Sequence, residues 1–458
     1  MNRCTPPRLR REVSRSAPES FHLLVVSGDD EQGVRASATR LADALEAGGR
    51  SGEDAANNAV VLRNAVATLR TAAPRVMRAS VVAADIAQAC ARLRQLAARG
   101  RVERSDLAPR STAFLFCGVG EQYPGMMDGL LLHPAVTRVV DRCLAAMSPI
   151  SRTLVRDLLG QSGESTNDRA DPFAAMVSSR AAPRSDGAGS AAQLATFVTS
   201  AALAALWESV GVRPSAVLGY SLGEYTAACV AGVFEVEDAI WLLERRAELV
   251  ALAPPGRMLT VAASAEEIAH RLADAPDVAI SAVVGPRVCV LSGSNAAIDA
   301  VEPLLYAAEI IAVPVASSQP LHNQLMRPAA VELTRLASSL IQRPPRIPWL
   351  SNVTGTWISD VAALPASYWG EHLCRPVRFD ECLSRLLESK DVRTLETGPG
   401  QTLSSFVRQH PMCERKRMQF VSRTLPGRHE ALGARETFLM AVGELWAQGT
   451  AIDWRRLS

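Results

Sequence analysis

The chain has 458 residues, which at roughly 100–200 residues per domain allows two to four domains and a large buried core. With 48% hydrophobic and 21% charged residues it has ordinary globular composition, which excludes a chain that is disordered or fibrous throughout. Its 49 basic and 47 acidic residues leave a formal net charge of +2, far from the surplus that a dedicated nucleic-acid binder needs to neutralise phosphates, so no nucleic-acid partner is expected.

The longest apolar runs, such as Ala201 to Trp207, fall far short of the ~20 residues that span a bilayer, and no membrane partner is expected. At the N-terminus Arg3, Arg8, Arg10 and Arg11 are followed only by the stretch from Phe21 to Val26, which is interrupted by His22 and too short for a secretory segment. The nine cysteines form no CxxC pair, a pattern that suits reduced thiols better than a disulfide framework or a zinc site. The expected location is the cytoplasm, with no metal. Lys390 and Lys416 are the only lysines, an Arg-rich and Ala-rich bias that reflects base composition more than function.

Residues 1–20 are rich in Arg, Pro and Ser, lack periodic apolar positions and read as a disordered tail. His22 to Val26 reads as a buried strand ending at Ser27-Gly28-Asp29-Asp30, and Val34 to Ala47 sets Ala38, Leu41, Ala42 and Leu45 at helical spacing. A strand at Ser80 to Ala83 and a helix at Ile86 to Leu96 complete a small α/β module over 21–109. A second start comes at Ala113 to Phe116, an apolar strand running into Cys117-Gly118-Val119-Gly120. Helices and short strands then alternate to about Arg423, the pattern of a mostly parallel sheet covered by helices, over 110–257 and 316–424. Gln161 to Gly189 is polar and rich in Gly and Pro, and is expected to be a mobile surface loop.

Between the two halves of that core, residues 258–315 have their own rhythm. Met258 to Val261, Val278 to Val283, Val288 to Leu291 and Ile310 to Val315 are strand-like, while Ala265 to Leu272 and Ala296 to Leu305 are helical. This βαββαβ order predicts an inserted ferredoxin-like unit. A C-terminal helix and tail fill 425–458, and there is no internal repeat.

The strongest chemical signal is Val217-Leu218-Gly219-Tyr220-Ser221-Leu222-Gly223-Glu224, an apolar strand followed by GxSxG and then the helix-like run Tyr225 to Ala231. So tight a strand-to-helix turn has no room for side chains at Gly219 and Gly223, and it exposes the Ser221 hydroxyl at a helix N-terminus where main-chain N–H groups can stabilise an oxyanion. The competing reading is a plain Gly-rich turn. A nucleophilic serine needs a base, and the seven histidines, His22, His133, His270, His322, His372, His410 and His429, are all open candidates from the residues alone.

Several separated motifs align with one family. The segment Phe114-Leu115-Phe116-Cys117-Gly118-Val119-Gly120-Glu121-Gln122-Tyr123-Pro124-Gly125-Met126 resembles the opening FxFPGQGxQxxGM of the malonyl-CoA:acyl-carrier-protein acyltransferases, and Ser221 lies in a match to their GHSxGE. Val288 to Gly293, His322-Asn323-Gln324-Leu325-Met326-Arg327-Pro328, Ser351-Asn352-Val353-Thr354-Gly355, Tyr368-Trp369, Pro376-Val377-Arg378-Phe379 and Glu396-Thr397-Gly398-Pro399-Gly400 follow in the family's order. The resemblance runs from about Phe21 to Trp454 and is greatest to acyltransferase domains of modular polyketide synthases, whose ketosynthase-to-acyltransferase linker resembles the module over 21–109. It implies an α/β fold with an α/β-hydrolase-like parallel-sheet core, an inserted ferredoxin-like subdomain and a preceding α/β linker domain.

The resemblance also implies roles. Ser221 would be the nucleophile and His322 the general base, oriented by a backbone carbonyl at the position of Arg378, with the backbone N–H groups of Val119 and Leu222 as the oxyanion hole. Arg246, 25 residues after Ser221, matches the arginine that grips the free carboxylate of malonate, a task that suits a guanidinium fork. The substrate would be malonyl-CoA or a close α-carboxyacyl-CoA and the acceptor an acyl carrier protein, with a ketosynthase or other synthase domains as further partners and no permanently bound cofactor. Three departures bear on detail: Val119 replaces a Gln whose main chain does the work, Tyr220 replaces a His and Val284 an Asn at the pocket border, and Gln319-Pro320-Leu321-His322 matches neither the HAFH of malonyl-selective domains nor the YASH of methylmalonyl-selective ones. Leu321, bulky and next to the proposed base, favours malonyl over methylmalonyl, and Leu222 points the same way because the methylmalonyl-selective pattern usually has Gln there. Two rival readings are a proofreading acyl hydrolase, which would have no use for Arg246, and a non-catalytic docking module, which would not need Ser221 and His322.

Overall fold

The computed structural model describes residues 21–49, 55–105, 110–160, 188–272, 275, 277–358, 364–365 and 367–457. The expected tail at 1–20 and nearly all of the expected loop at 161–189 lie outside the described residues; Ala188 and Gly189 belong to a helix. The chain packs as two units, Met1–Glu103 and Arg104–Ser458, a division six residues before the predicted boundary at 109.

In the first unit β1 (His22–Gly28) runs antiparallel to β2 (Met77–Ala83), in register from His22 opposite Ala83 to Gly28 opposite Met77, and the two-residue β3 (Glu103–Arg104), which straddles the division, follows β2 in the sheet. Pairing along all seven residues of β1 extends β2 three residues upstream of the predicted Ser80. The helices Glu31–Gly49, Ala55–Thr71 and Ile86–Arg99 lay Val34, Ala38, Ala42, Leu45, Leu62 and Leu93 against Leu24 and Val26 of β1. Asp85 caps the third helix by accepting the Gln88 N–H, which ends strand and loop and fixes the start of that helix.

The second unit holds two sheets. The larger comprises β4 (Ser111–Phe116), β5 (Ala216–Gly219), β10 (Trp349–Leu350), β11 (Trp357–Ile358), β13 (Val392–Glu396) and β14 (Val421–Arg423), in the order β11-β10-β5-β4-β13-β14. All pairings are parallel except β10 with β11. The strands β4, β5 and β13 are almost wholly buried, as expected where helices cover both faces of a parallel sheet. In such sheets ligands bind beyond the carboxyl ends of the strands, and β4 and β5 lie side by side with Phe116 opposite Gly219, delivering Cys117–Gly120 and Ser221 to the same edge.

One covering helix, Ala188–Ser209, is apolar all round because it is a core helix. Its Gly189–Ser209 stretch has the length and composition of a membrane span, yet 78% of an 18-residue apolar segment within it is buried inside the protein. Near its end Trp207 is fully buried, packs edge-on against Phe438 of helix Ala434–Ala447 at 4.9 Å, and donates its indole N–H to Thr424 Oγ1 at 2.9 Å. A side chain of this size contributes on the order of 3 kcal/mol by leaving water, and the hydrogen bond prevents the indole nitrogen from offsetting that gain.

The smaller sheet contains β6 (Gly256–Val261), β7 (Val278–Gly285), β8 (Val288–Ser294), β9 (Ala312–Val315) and β12 (Val377–Arg378), ordered β12-β7-β8-β6-β9. With helices Ala265–Arg271 and Asn295–Ala307, the first four make the βαββαβ unit, and Leu259, Val261, Ile268, Leu291, Ile298 and Leu305 form its core. Sequence reasoning omitted the fifth strand. β12 comes from the returning half of the large domain and pairs in parallel with β7, Val377 opposite Ala282, so the subdomain is joined to the core by a strand as well as by its two chain connections.

Candidate active site

The site is built around the turn after β5. A Cβ at Gly219 would overlap the main chain of Gly223 and Glu224, and one at Gly223 would overlap the Phe116 carbonyl, so both positions admit only glycine. Helix Gly223–Ala231 starts at once, and Ser221 is left with φ +51°, a strained value for a residue with a side chain. Asn352, 1% exposed, holds the turn: its Oδ1 accepts the Ser221 N–H and its Nδ2 donates to the Gly219 carbonyl, each at 2.8 Å.

His322 Nε2 lies 2.7 Å from Ser221 Oγ. The histidine also has a positive φ, +56°, and is pinned by its N–H, which donates to the Leu373 carbonyl at 3.0 Å. Of the seven histidines left open by the sequence, this is the one within reach of the serine. Its Nδ1 faces two carbonyl oxygens, that of His372 at 2.9 Å and that of Arg375 at 3.2 Å, so Nδ1 carries the proton and Nε2 presents its lone pair to the serine hydroxyl. Burial pushes the imidazole down to about 3, with the charges of His372 and Arg246 acting in the same direction and the two carbonyl bonds opposing. The base is therefore neutral, and ready to accept a proton, throughout the physiological range.

The expected orienting carbonyl at Arg378 requires correction. Arg378 is in β12, its N–H donates to the Asn352 carbonyl at 3.0 Å, and its guanidinium forks onto Glu381 at 2.8 and 2.6 Å. The acceptors come instead from the end of helix Tyr368–Cys374, where the last carbonyls have no partner within the helix and are free to point at the ring.

Leu222 follows the serine directly, and Val119 lies on the loop that leaves β4 beside the same strand edge. Leu222 is 2% exposed at the start of the helix, whereas Val119 is half exposed on the loop beyond β4, and among the described residues neither main-chain N–H has an acceptor. Tyr220 and Leu321 both pack, half-buried, on the cluster containing Phe379, and Tyr220 meets that ring edge-on at 5.2 Å. Val284 is buried in the same cluster, at an irregularity in the pairing of β7 with β8.

Arg246, on helix Val236–Ala251, is 2% exposed. No carboxylate among the described residues pairs with it: one terminal nitrogen donates to Gln193 Oε1, Nε has no partner, and the guanidinium carbon stands 5.9 Å from the Tyr225 ring. Burial lowers its pKa, as expected for a cation that has lost water without gaining an anion. The site thus joins a serine poised on a neutral base, the free Leu222 N–H next to it, and a desolvated cation, which together can take up an acyl group that carries its own negative charge. Among the described residues no group of three or more His, Cys, Asp or Glu side chains is placed to hold a metal ion.

Sequence reasoning missed four contributors. Glu224 and Asn352 lay in motifs that were recognised without being given roles, and His372 was one histidine among seven. Gln193 carried a signal of its own, a lone amide in the apolar helix that faces Arg246.

Residues 113–445 match the family model described as acyl transferase domain. A phenolphthiocerol/phthiocerol polyketide synthase protein of Mycobacterium tuberculosis is 33% identical over 357 residues, covering 77% of this chain and 22% of that protein; the chain thus spans about a fifth of the length of such relatives. The acyl transferase domain of ZmaA superposes with a TM-score of 0.82 at 25% identity, covering 97% of each chain. The acyl transferase domain of SpnD, in complex with 2-(pent-4-yn-1-yl)malonyl, superposes with a TM-score of 0.76 at 30% identity, covering 94% of this chain and 96% of that one.

Proposed function

The chain belongs to the acyl transferase domain family, and from that membership we propose that it moves a malonyl-type unit from CoA to the phosphopantetheine thiol of an acyl carrier protein, in polyketide biosynthesis. The observation that carries the reading is Arg246, a buried guanidinium with no acidic partner among the described residues, set close enough to His322 for its charge to act on the imidazole. A desolvated cation of this kind favours an acyl group that brings a carboxylate, and the SpnD domain is a relative seen with a substituted malonyl group.

In the first half-reaction Ser221 Oγ attacks the thioester carbonyl while its proton passes to His322 Nε2. The negative charge that develops on the carbonyl oxygen is met by the N–H groups of Val119 and Leu222. The tetrahedral adduct collapses, the C–S bond breaks, and the imidazolium returns its proton to the departing CoA sulfur. In the second half-reaction the pantetheine thiol gives its proton to His322 and attacks the seryl ester, and the same proton then restores the Ser221 hydroxyl. Nothing but acyl group and proton is exchanged, so no permanent cofactor is needed. Leu321, next to His322, crowds the space that an α-methyl group would occupy and favours malonyl over methylmalonyl. A ketosynthase or other synthase domains are further candidate partners, and the cytoplasm, where CoA thioesters and carrier proteins meet, is the proposed location.

Intact-mass spectrometry after brief incubation with a panel of acyl-CoAs tests the reading. A malonyl adduct is expected on the native protein and absent from Ser221→Ala, and loss of the base in His322→Ala is expected to slow its formation by several orders of magnitude. An adduct that persists in Ser221→Ala places the chemistry elsewhere, and an adduct lost to water faster than to a carrier protein makes the enzyme an acyl hydrolase.

A further inference from the structure

The serine and the histidine come from distant parts of the chain, and one buried carboxylate reaches both. Glu224, fully buried in the first turn of helix Gly223–Ala231, follows Ser221 by three residues. Its Oε1 accepts the Asn352 N–H at 2.9 Å and the Tyr368 hydroxyl at 2.7 Å, and Asn352 is the residue that holds the Ser221 turn. Its Oε2 lies 2.9 Å from Nε2 of His372, which is 1% exposed, a close polar contact without hydrogen-bond alignment. His372 is also the residue whose carbonyl accepts from Nδ1 of His322, and the two imidazoles stand edge to face, 5.3 Å apart.

Both members of the dyad need such support. Ser221 and His322 each sit at positive φ, a conformation that persists in a residue with a side chain only where the surroundings over-determine it. We propose that Glu224 and His372 are a positioning unit for acyl transfer: the carboxylate ties the turn that carries Ser221 to the residue whose carbonyl orients His322, and so keeps Oγ and Nε2 in register. One oxygen of Glu224 serves the nucleophile and the other serves the base. Tyr368, which also bonds the Ser351 hydroxyl at 2.7 Å, and Tyr225 and Trp369, which pack on the His372 ring, enclose the pair away from water.

The inference rests on the acyl-transfer reading above, and its test separates the two. Quenched-flow acylation of the native protein by malonyl-CoA comes first: if no adduct forms, the transfer reading fails. Single-turnover rates are then measured for Glu224→Gln, His372→Leu, His372→Gln and the Glu224→Gln/His372→Leu double variant, each normalised to folded protein by circular dichroism. Glu224→Gln and His372→Leu are expected to slow acylation by up to about 100-fold, the scale of a misplacement of roughly an ångström. The malonyl-CoA concentration at half-maximal rate is expected to stay within about twofold, because substrate binding is untouched. The double variant is expected to be no slower than the slower single, since the pair acts as a unit. His372→Gln, whose side-chain N–H can still reach the carboxylate, is expected to recover most of the rate. Full activity in His372→Leu, or losses that multiply in the double variant, overturn the proposal. Where His372→Leu does not fold, Glu224→Gln decides: a slowed rate at unchanged half-saturation supports the unit, and an unchanged rate refutes it.

Discussion

Replacing Arg246 by methionine keeps the apolar stem and removes the guanidinium fork, which makes it the most informative single change. At 2% exposure, with Gln193 and Tyr225 beside it and no carboxylate paired with it among the described residues, the guanidinium would meet a substrate carboxylate in a site where water screens little. Removing one partner of a buried charge pair costs ~3–5 kcal/mol, because the other charge is left desolvated. At about 1.4 kcal/mol per factor of ten, kcat/KM for malonyl-CoA is expected to fall by roughly two to three and a half orders of magnitude. Acetyl-CoA has no carboxylate to strand, so its transfer is expected to change only a few-fold, and the ratio of the two specificity constants carries the effect. The free protein should respond in the opposite sense. A buried cation without a counter-ion opposes folding, so Arg246→Met is expected to melt no lower than the native protein. The assay is adduct formation on Ser221 from malonyl-CoA and acetyl-CoA in parallel, with melting followed by circular dichroism. Equal loss on both substrates, or a clear fall in melting temperature, would refute the reasoning and make Arg246 a structural residue.

Three further outcomes follow from the geometry. Because burial holds His322 down near 3, its neutral form persists as pH falls, and kcat/KM for acylation is expected to be flat from pH 8 to pH 5; a base titrating at the ordinary ~6.5 would lose roughly thirtyfold by pH 5, and an acid limb there contradicts the assignment. Asn352→Ala leaves the Ser221 N–H and the Gly219 carbonyl without their partners, at ~1–3 kcal/mol each, so thermal or urea unfolding should show a loss of about 2–6 kcal/mol, and a loss under about 0.5 kcal/mol would mean that water replaces the amide. Leu321→Ser is expected to shrink the preference for malonyl-CoA over methylmalonyl-CoA, which one methyl group limits to roughly two hundredfold; predominant methylmalonyl loading of the native protein in an equimolar competition sinks the claim.

The nucleophile turn was legible in the sequence because it is a local matter. Gly219 is required by main-chain atoms four and five residues on, and an apolar strand with a helix after it leaves Ser221 little choice of conformation, whereas Gly223 is required by the Phe116 carbonyl, distant in the chain. The βαββαβ unit was legible for the same reason, since alternation and helical spacing are written residue by residue. Other features were decided by residues far apart along the chain. Nothing in the composition of seven histidines distinguishes His322, which acts across 101 positions from Ser221 and was picked out only through resemblance to a family. The carbonyls that orient it belong to His372 and Arg375, where the register of one short helix and the start of β12 decide which oxygen faces the ring, and a shift of a few residues was enough to misplace the expectation on Arg378. Arg246 reads in the sequence as one more helix charge, and only the packing of its helix against Gln193 and Tyr225 makes it a buried cation without an anion. Main-chain sterics and periodicity act over a few residues and survive in any one sequence, whereas burial and hydrogen-bond pairing depend on which distant segments the folded chain brings together.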